Sequence, residues 1–158
     1  MLHRVDENVN ERAHGTGVKV ALLKGSALFE PISALVARDE WEIGYEYNPV
    51  RYTLESETGQ TYTSGYHMFP EIDAALWYWM EIAPEFHHYK PVIMRVEWSN
   101  QLARGITKLR SGRELITLVA GHMYISEAFD IEAADCAYLT DPSVPRPVRC
   151  GRPIVRYW

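Results

Sequence analysis

The hydrophobic pattern is clearest in residues 62–98, where an extended segment, a helix and a strand follow one another. The extended segment stops at Pro70, whose fixed φ and missing amide hydrogen suit the first turn of a helix. In residues 71–83 the apolar side chains recur at the spacing of one helical face. Residues 91–98 then alternate with the period of two that is typical of a half-buried strand. This stretch therefore predicts the centre of the domain, with its principal helix at about residues 71–83.

Shorter apolar runs on both sides of this centre predict additional strands. Residues 18–23 form an apolar run after Gly17, which indicates a buried first strand. Residues 27–37 fit either a short helix or an irregular hairpin. Residues 99–113 are polar and carry four basic side chains, which favours a solvated loop over a binding patch. Further candidates are strands at 41–47 and 51–55, two strands or one bulged strand at 114–125, and a short helix from Glu127 to about Tyr138.

Together these elements predict an α+β fold in a single domain, with a mostly antiparallel sheet, the principal helix and one or two short helices. The length of 158 residues fits one domain. Residues 1–16 have no period and predict a mobile N-terminal arm. Residues 17–140 then form the core domain, and residues 141–158 form a Pro-rich C-terminal tail.

Composition and charge restrict the class of protein. The hydrophobic content of 47% is enough for a sizeable core, and no run approaches the length of about 18 apolar residues that a membrane helix needs. The polar start is unlike a signal peptide, so we expect a cytoplasmic protein without membrane association. Cys136 and Cys150 form neither a disulfide framework nor a metal motif. The net charge of −5 disfavours direct binding to nucleic acid and favours a partner with a basic surface.

The C-terminal tail ends in residue types that are enriched at protein interfaces. Its hydrophobic and cationic end either adds an edge strand or stays exposed for a partner. A homodimer is also compatible with so many aromatic residues. The candidate binding residues in the tail are Arg152, Arg156, Tyr157 and Trp158.

No common catalytic or metal-binding motif occurs in the sequence, so neither a metal nor a cofactor is expected. His67 lies in an extended segment just before the N-terminus of the predicted helix, where backbone donors could hold an anion. A hydrogen-bonded structural role for His67 is favoured over a catalytic one. Glu97 and Glu114 lie at strand ends, where a carboxylate could act as an acid or a base.

Four short motifs resemble a family of small bacteriophage proteins of unknown function. They are residues 41–44 (Trp-Glu-Ile-Gly), residues 65–69 (Gly-Tyr-His-Met-Phe), residues 75–77 (Ala-Leu-Trp) and the apolar strand at 92–98. The resemblance covers about residues 18–125 and implies a phage origin without an assigned activity. Because small phage proteins often act on host macromolecules, it also implies an inhibitor of bacterial immunity, for example an anti-CRISPR protein.

The same region is similar in layout to ADP-ribosyltransferases. In that family a strand ending in Gly-[Tyr/Phe]-x-Phe leads into an Ala-x-x-Tyr helix and an apolar strand, which correspond to residues 65–69, 74–78 and 91–97. The resemblance implies NAD as the substrate, with Tyr66, His67 and Glu114 near the nicotinamide. The first strand departs from the family pattern, because it offers only Lys19 and Lys24 where a His or Arg is expected.

The sequence thus favours a non-catalytic, phage-type binding protein that inhibits a host defence component through a protein–protein interface. The expected partner is a host protein or ribonucleoprotein. The alternative is an ADP-ribosyltransferase-like enzyme that uses NAD.

Overall fold

The computed structural model describes residues 2–7, 9–24, 27–29, 40–49 and 51–146, except for the side chains of residues 133 and 134. Within these ranges the chain forms ten β-strands, two α-helices and one short 3₁₀ helix. Strands therefore dominate the part of the chain that is described.

Two long strands form the centre of the fold. Strand β9 (Lys90–Lys108) and strand β10 (Glu114–Asp130) pair antiparallel along almost their whole length. The turn between them places Gly112 at a φ of +90°, a conformation that glycine adopts without a steric penalty. The Leu109 amide donates a hydrogen bond of 2.8 Å to the Arg113 carbonyl and closes the turn.

Shorter strands extend this hairpin into an eight-stranded sheet. Strand β2 (Asn10–Lys24) pairs with the first half of β9 and also pairs with β3 (Ala27–Phe29). The remaining strands of this sheet are β1 (Arg4–Glu7) beside β9, β4 (Glu40–Trp41) beside β3, and both β5 (Glu46–Tyr47) and β8 (Tyr66–Met68) beside β10.

The sheet is curled, and its two sides meet at Val18 and Phe69. The two residues exchange backbone hydrogen bonds of 2.8 and 2.9 Å, which join β2 to the residue that follows β8. β9 bends near Asn100, whose φ is +61°, and the register of β10 shifts between Val119 and Ala120. Such bulges increase the local twist of a strand and allow a sheet to curl.

The concave face of the curled sheet is packed with apolar side chains. Met68, Val96 and Ile125 are fully buried there, and Trp41 is 3% exposed. Burying a side chain of this size contributes about 1.5–3 kcal/mol to stability. The interior is therefore a hydrophobic core rather than an open cleft.

Helix α1 (Ile72–Ile82) covers the convex face of β2 and β9. Its buried residues Ala75 and Leu76 pack in one cluster with Val18, Val20 and Ile93. A 3₁₀ helix (Ala83–Phe86) follows directly. Helix α2 (Ala133–Thr140) begins with a capping box and is joined to α1 by a hydrogen bond from the Tyr138 hydroxyl to the Asp73 carboxylate.

A small hairpin of β6 (Thr53–Glu55) and β7 (Thr61–Thr63) holds the first residues of the chain. The amides of Glu57 and Thr58, in its turn, donate hydrogen bonds to the carbonyls of Leu2 and His3 at 3.1 and 3.0 Å. Leu2 is fully buried. Residues 4–7 and 10–16, in the segment expected to be a mobile arm, lie in β1 and β2 and pair with β9.

The predicted α+β class is wrong, because the described chain is largely β with one main helix. Much of the difference lies in residues 99–108, which were predicted as a solvated loop and instead continue β9. The loop prediction depended on the polar composition and the four basic side chains of residues 99–113, and a shift of the β9–β10 register between Val119 and Ala120 also interrupts the period of two in this segment.

Other predictions from the pattern agree with the fold to different degrees. The principal helix is confirmed within one residue at each end, and residues 114–125 lie in one bulged strand. The short helix expected from Glu127 begins only at Ala133, because β10 continues to Asp130. Residues 27–29 are a strand, and the rest of the segment 27–37 lies outside the described residues.

Candidate functional site

The two candidate catalytic residues on β8 point to opposite sides of the strand. Neighbouring residues of a strand alternate between the two faces of a sheet. Tyr66 packs against the concave core, with its ring centroid 6.4 Å from that of Trp41. His67 faces the other way and contacts Tyr62. β8 therefore does not present Tyr66 and His67 to one ligand.

His67 belongs to a chain of hydrogen bonds that starts at the N-terminal segment. The Leu2 amide donates to the Tyr62 hydroxyl at 2.9 Å, and that hydroxyl lies 3.0 Å from Nε2 of His67. Because Tyr62 already accepts a hydrogen bond, its own proton is available for Nε2. His67 also forms a hydrogen bond with the backbone of Gly65. Because Nε2 accepts the proton of Tyr62, Nδ1–H is the donor to the Gly65 carbonyl.

This environment keeps His67 neutral. The pKa of His67 is lowered from 6.5 to about 3, mainly by burial and in part by the nearby positive charge of Lys19. A histidine with both nitrogens occupied and so low a pKa is a poor general base at neutral pH. The geometry gives His67 a structural role.

Glu114 lies far from this chain of hydrogen bonds. It is the first residue of β10, whereas His67 pairs with Val119, five positions further along the strand. Five strand residues span about 17 Å. The Glu114 carboxylate instead lies 3.8 Å from the guanidinium of Arg4. The structure therefore does not bring Glu114 together with Tyr66 or His67.

Lys19 is a buried charged residue that the sequence reasoning did not single out as a core residue. It is only 3% exposed, and its ammonium donates a hydrogen bond to the carbonyl of His67. The same ammonium lies 5.2 Å from the centre of the Trp41 ring. The sequence signal for a buried lysine was its position, because Lys19 is the single charged residue within the apolar run 18–23. Its contacts join β2, β4 and β8.

The predicted binding residues Arg152, Arg156, Tyr157 and Trp158 lie outside the described residues. The chain that leads to them is described up to Arg146. The Arg146 guanidinium lies 3.0 Å from the Asp73 carboxylate and 5.8 Å from the centre of the Tyr138 ring. The described chain therefore ends beside both α-helices.

A polar row crosses the convex face of the sheet where α1 does not cover it. The backbone register aligns Glu46 of β5, Tyr124 of β10, Glu97 of β9 and Thr16 of β2. We call these four residues the Tyr124 row. Neighbouring strands lie about 4.8 Å apart, so the two carboxylates flank Tyr124 on either side. The sequence pattern marks Glu97 only as a strand-end carboxylate, because the other members of the row come from three different strands.

The Tyr124 row is negatively charged, with Glu46, Glu97 and Thr16 exposed and Tyr124 half-buried between the two carboxylates. Glu97 is exposed and has no ion-pair partner among the described residues. The Glu46 side chain is 70% exposed and lies 3.7 Å from Nε2 of His122. Beside it, Tyr45 is 54% exposed at the edge of the sheet. A tyrosine between two carboxylates can bind a cation by charge attraction and through the face of its ring.

The described residues contain neither a cluster of metal-ligating side chains nor a helix that could span a membrane. No group of three or more His, Cys, Asp or Glu side chains is arranged there to hold a metal ion. None of the helices in the described ranges has both the length and the apolar character to cross a bilayer.

Comparison with known proteins yields no relative for this chain: no family model, no curated protein and no solved structure matches it.

Proposed function

We propose that this chain is a phage-type, non-catalytic binding protein that inhibits a component of bacterial host defence through a protein–protein interface. The single observation that carries the proposal is the Tyr124 row, which presents one tyrosine and two carboxylates on an uncovered face of the sheet. The proposed place of action is the cytoplasm of the bacterial host.

The chemistry of the row favours a partner with a basic surface. Exposed acidic residues accelerate the association with a basic partner and fix its orientation. Tyrosine is enriched among the residues that dominate binding energies, and arginine is its frequent counterpart. A host protein or ribonucleoprotein that places an arginine or lysine over Tyr124, between Glu46 and Glu97, fits this surface. The net charge of −5 acts in the same direction.

No described contact favours the ADP-ribosyltransferase alternative. That alternative needs Tyr66, His67 and Glu114 close to one nicotinamide ring. The first two point to opposite faces of β8, and Glu114 lies about five strand positions away from the partner of His67. We therefore make no proposal about NAD.

The proposal can be tested in cells with active CRISPR immunity. Phage plaquing is measured on a strain whose CRISPR system targets the phage, with and without expression of this chain. We expect the chain to raise the plaquing efficiency at least tenfold, and the double variant Glu46→Gln, Glu97→Gln to lose most of this effect. An isogenic strain without the CRISPR system corrects for general effects on growth.

A matched control removes two carboxylates elsewhere. Glu11 and Glu55 are exposed and lie outside the Tyr124 row, so the variant Glu11→Gln, Glu55→Gln has the same net charge as the test variant. We expect this control to keep the full effect. Equal losses in the two double variants would contradict a role for the row, and no effect of the unaltered chain in strains that carry different defence systems would contradict the proposed function.

A further inference from the structure

A groove of about 430 Å³ lies between the edge of β7 and the N-terminal strand β1. Leu102 and Ala103 of β9 line it together with Tyr62, and Val5, Glu7 and Val9 line the side of the N-terminal segment. This volume lies within the range of about 300–1,000 Å³ that is common for binding pockets. None of these residues belongs to the Tyr124 row.

The β7 side of the groove offers unpaired backbone groups. In the β6–β7 hairpin, Ser56 bonds to Gln60 and Ser64 bonds to Tyr52, each at 2.7 Å. Hydrogen-bonded and non-hydrogen-bonded pairs alternate in an antiparallel ladder. Thr61 and Thr63 are therefore in non-hydrogen-bonded pairs, and their amides and carbonyls point away from β6. Within the described residues β7 pairs only with β6, so this edge is open.

One end of the groove already shows how a peptide group can fill it. The side-chain amide of Gln60 accepts a hydrogen bond of 2.8 Å from the Val5 amide and donates one of 2.9 Å to the Val5 carbonyl. A side-chain amide thus pairs with β1 as a neighbouring strand would. Beyond Gln60, Thr61 and Thr63 have no such partner in the described chain.

The side of the groove opposite β7 combines one carboxylate with apolar surface. Glu7 is exposed, and its carboxylate accepts a hydrogen bond of 3.5 Å from the side chain of Gln101, which is only 5% exposed. No cationic partner of Glu7 occurs in the described ranges. Val9 is 53% exposed at the same wall. A ligand for this groove needs backbone donors and acceptors, aliphatic side chains and a positive charge.

We infer that the groove binds an extended segment of a partner protein, which adds as a strand to the open edge of β7 and places a lysine or arginine at Glu7. Edge strands with unpaired amides and carbonyls accept peptides in this way, and the flanking pockets select the side chains. The inference concerns a second contact surface and does not depend on the Tyr124 row.

The test uses a defined peptide and the full chain. The probe is acetyl-Thr-Val-Lys-Val-Thr-amide, titrated into ¹⁵N-labelled protein. We expect the amide signals of Thr61 and Thr63 to shift in a saturable manner, whereas a probe with N-methyl groups on alternate amides leaves them unchanged. Equal binding of the N-methylated probe, or no shift of these two signals at millimolar peptide, overturns strand addition.

Charge selection is tested with Glu7→Gln and its matched control Glu55→Gln, which removes the same charge from the neighbouring hairpin. We expect Glu7→Gln to weaken binding of the lysine probe about threefold, while Glu55→Gln leaves it unchanged. A probe with glutamate in place of lysine should bind more tightly to Glu7→Lys than to the unaltered chain. Equal effects of the two glutamine variants overturn the role of Glu7.

A second copy of this chain is the competing occupant of the groove. Its signature is a shift of the Thr61 and Thr63 signals with protein concentration in the absence of peptide, together with a larger apparent mass by analytical ultracentrifugation. This result would assign the groove to self-association and overturn the inference. Because the variants of the Tyr124 row leave the groove unchanged, its peptide binding and the plaquing effect can fail independently.

Discussion

The hydroxyl of Tyr62 lies 3.0 Å from Nε2 of His67 and joins the buried imidazole to the N-terminal segment. The same hydroxyl accepts the hydrogen bond of the Leu2 amide, 60 residues away in sequence. One phenol therefore satisfies two polar groups that would otherwise be buried without a partner. Such groups are costly when unpaired, so this contact contributes to the order of β1, β7 and β8.

The stability of the protein should depend on pH through His67. Its pKa is about 3 in the folded state and near 6.5 in the unfolded state, so only the unfolded state binds a proton between these values. The free energy of unfolding is then complete above pH 6.5 and falls with decreasing pH, by at most about 1.4 kcal/mol per pH unit. Urea unfolding between pH 5 and 7.5 measures this slope.

The matched variant for this prediction is His67→Gln, which keeps a hydrogen-bonding side chain without a titratable group in this range. Subtracting its pH profile from that of the unaltered protein removes the contribution of the carboxylates. We expect the free energy of unfolding of the unaltered protein to fall relative to that of His67→Gln as the pH decreases from 6.5 to 5. Parallel profiles over this range would show that His67 has a similar pKa in both states.

Removing the Tyr62 hydroxyl should destabilise the protein more than its size suggests. Tyr62→Phe leaves the Leu2 amide and Nε2 of His67 without their partner, and each unpaired buried group costs about 1–3 kcal/mol. Because two groups lose their partner, we expect a loss of at least about 2 kcal/mol by urea unfolding, with faster hydrogen exchange at the Leu2 amide. Tyr52→Phe is the control, since Tyr52 is 60% exposed. Equal losses in the two variants would contradict the prediction.

The sequence predicted the elements whose pattern is local. Pro70 and the helical spacing after it locate α1, and the regular alternation of residues 91–98 locates the first half of β9. The second half of β9 was missed because residues 99–113 are polar and carry four basic side chains, and because the β9–β10 register shifts between Val119 and Ala120. An α+β fold was predicted because this missing strand made the sheet look smaller than it is.

Sites are harder to predict than strands, because their members come from distant parts of the chain. His67 stood out from its neighbours in sequence, and its partner Tyr62 lies only five residues away, but Leu2 joins them only through the pairing of the β6–β7 turn with residues 2 and 3. The Tyr124 row depends in the same way on the registers of β2, β5, β9 and β10. A local sequence pattern does not reveal which residues of these four strands lie side by side.

Gly105 should be essential for the attachment of β1. A Cβ atom at this position would lie 1.9 Å from the Arg4 carbonyl oxygen and 3.0 Å from Cα of Val5, so the strand would have to move away. We expect Gly105→Ala to lower the free energy of unfolding by about 1–3 kcal/mol, the usual range for overpacking, and to accelerate hydrogen exchange at the His3 amide, which bonds to Ile106.

Gly15→Ala provides the control for that prediction. Its Cβ would lie 3.2 Å from the Trp98 side chain, which can move by a few tenths of an ångström. We expect a smaller loss of stability and unchanged exchange at the His3 amide. If Gly105→Ala also left this exchange unchanged, the close approach of β1 to β9 would not require glycine.

Arg113 should contribute more to stability than Arg110, although both lie in the β9–β10 turn. The Arg113 guanidinium lies 3.7 Å from the centre of the Trp77 ring of α1, and such a contact at an exposed site is worth about 0.5–1 kcal/mol. Arg110 forms an ion pair of 2.7 Å with Glu85, but its side chain is 77% exposed and water screens the interaction. Urea unfolding should therefore show a loss of this size for Arg113→Ala and no measurable loss for Arg110→Ala.

In 1 M salt the loss of stability caused by Arg113→Ala should persist, because the guanidinium packs against the Trp77 ring and the contact does not depend only on charge. A larger loss for Arg110→Ala would instead show that the turn is held on α1 by its ion pair.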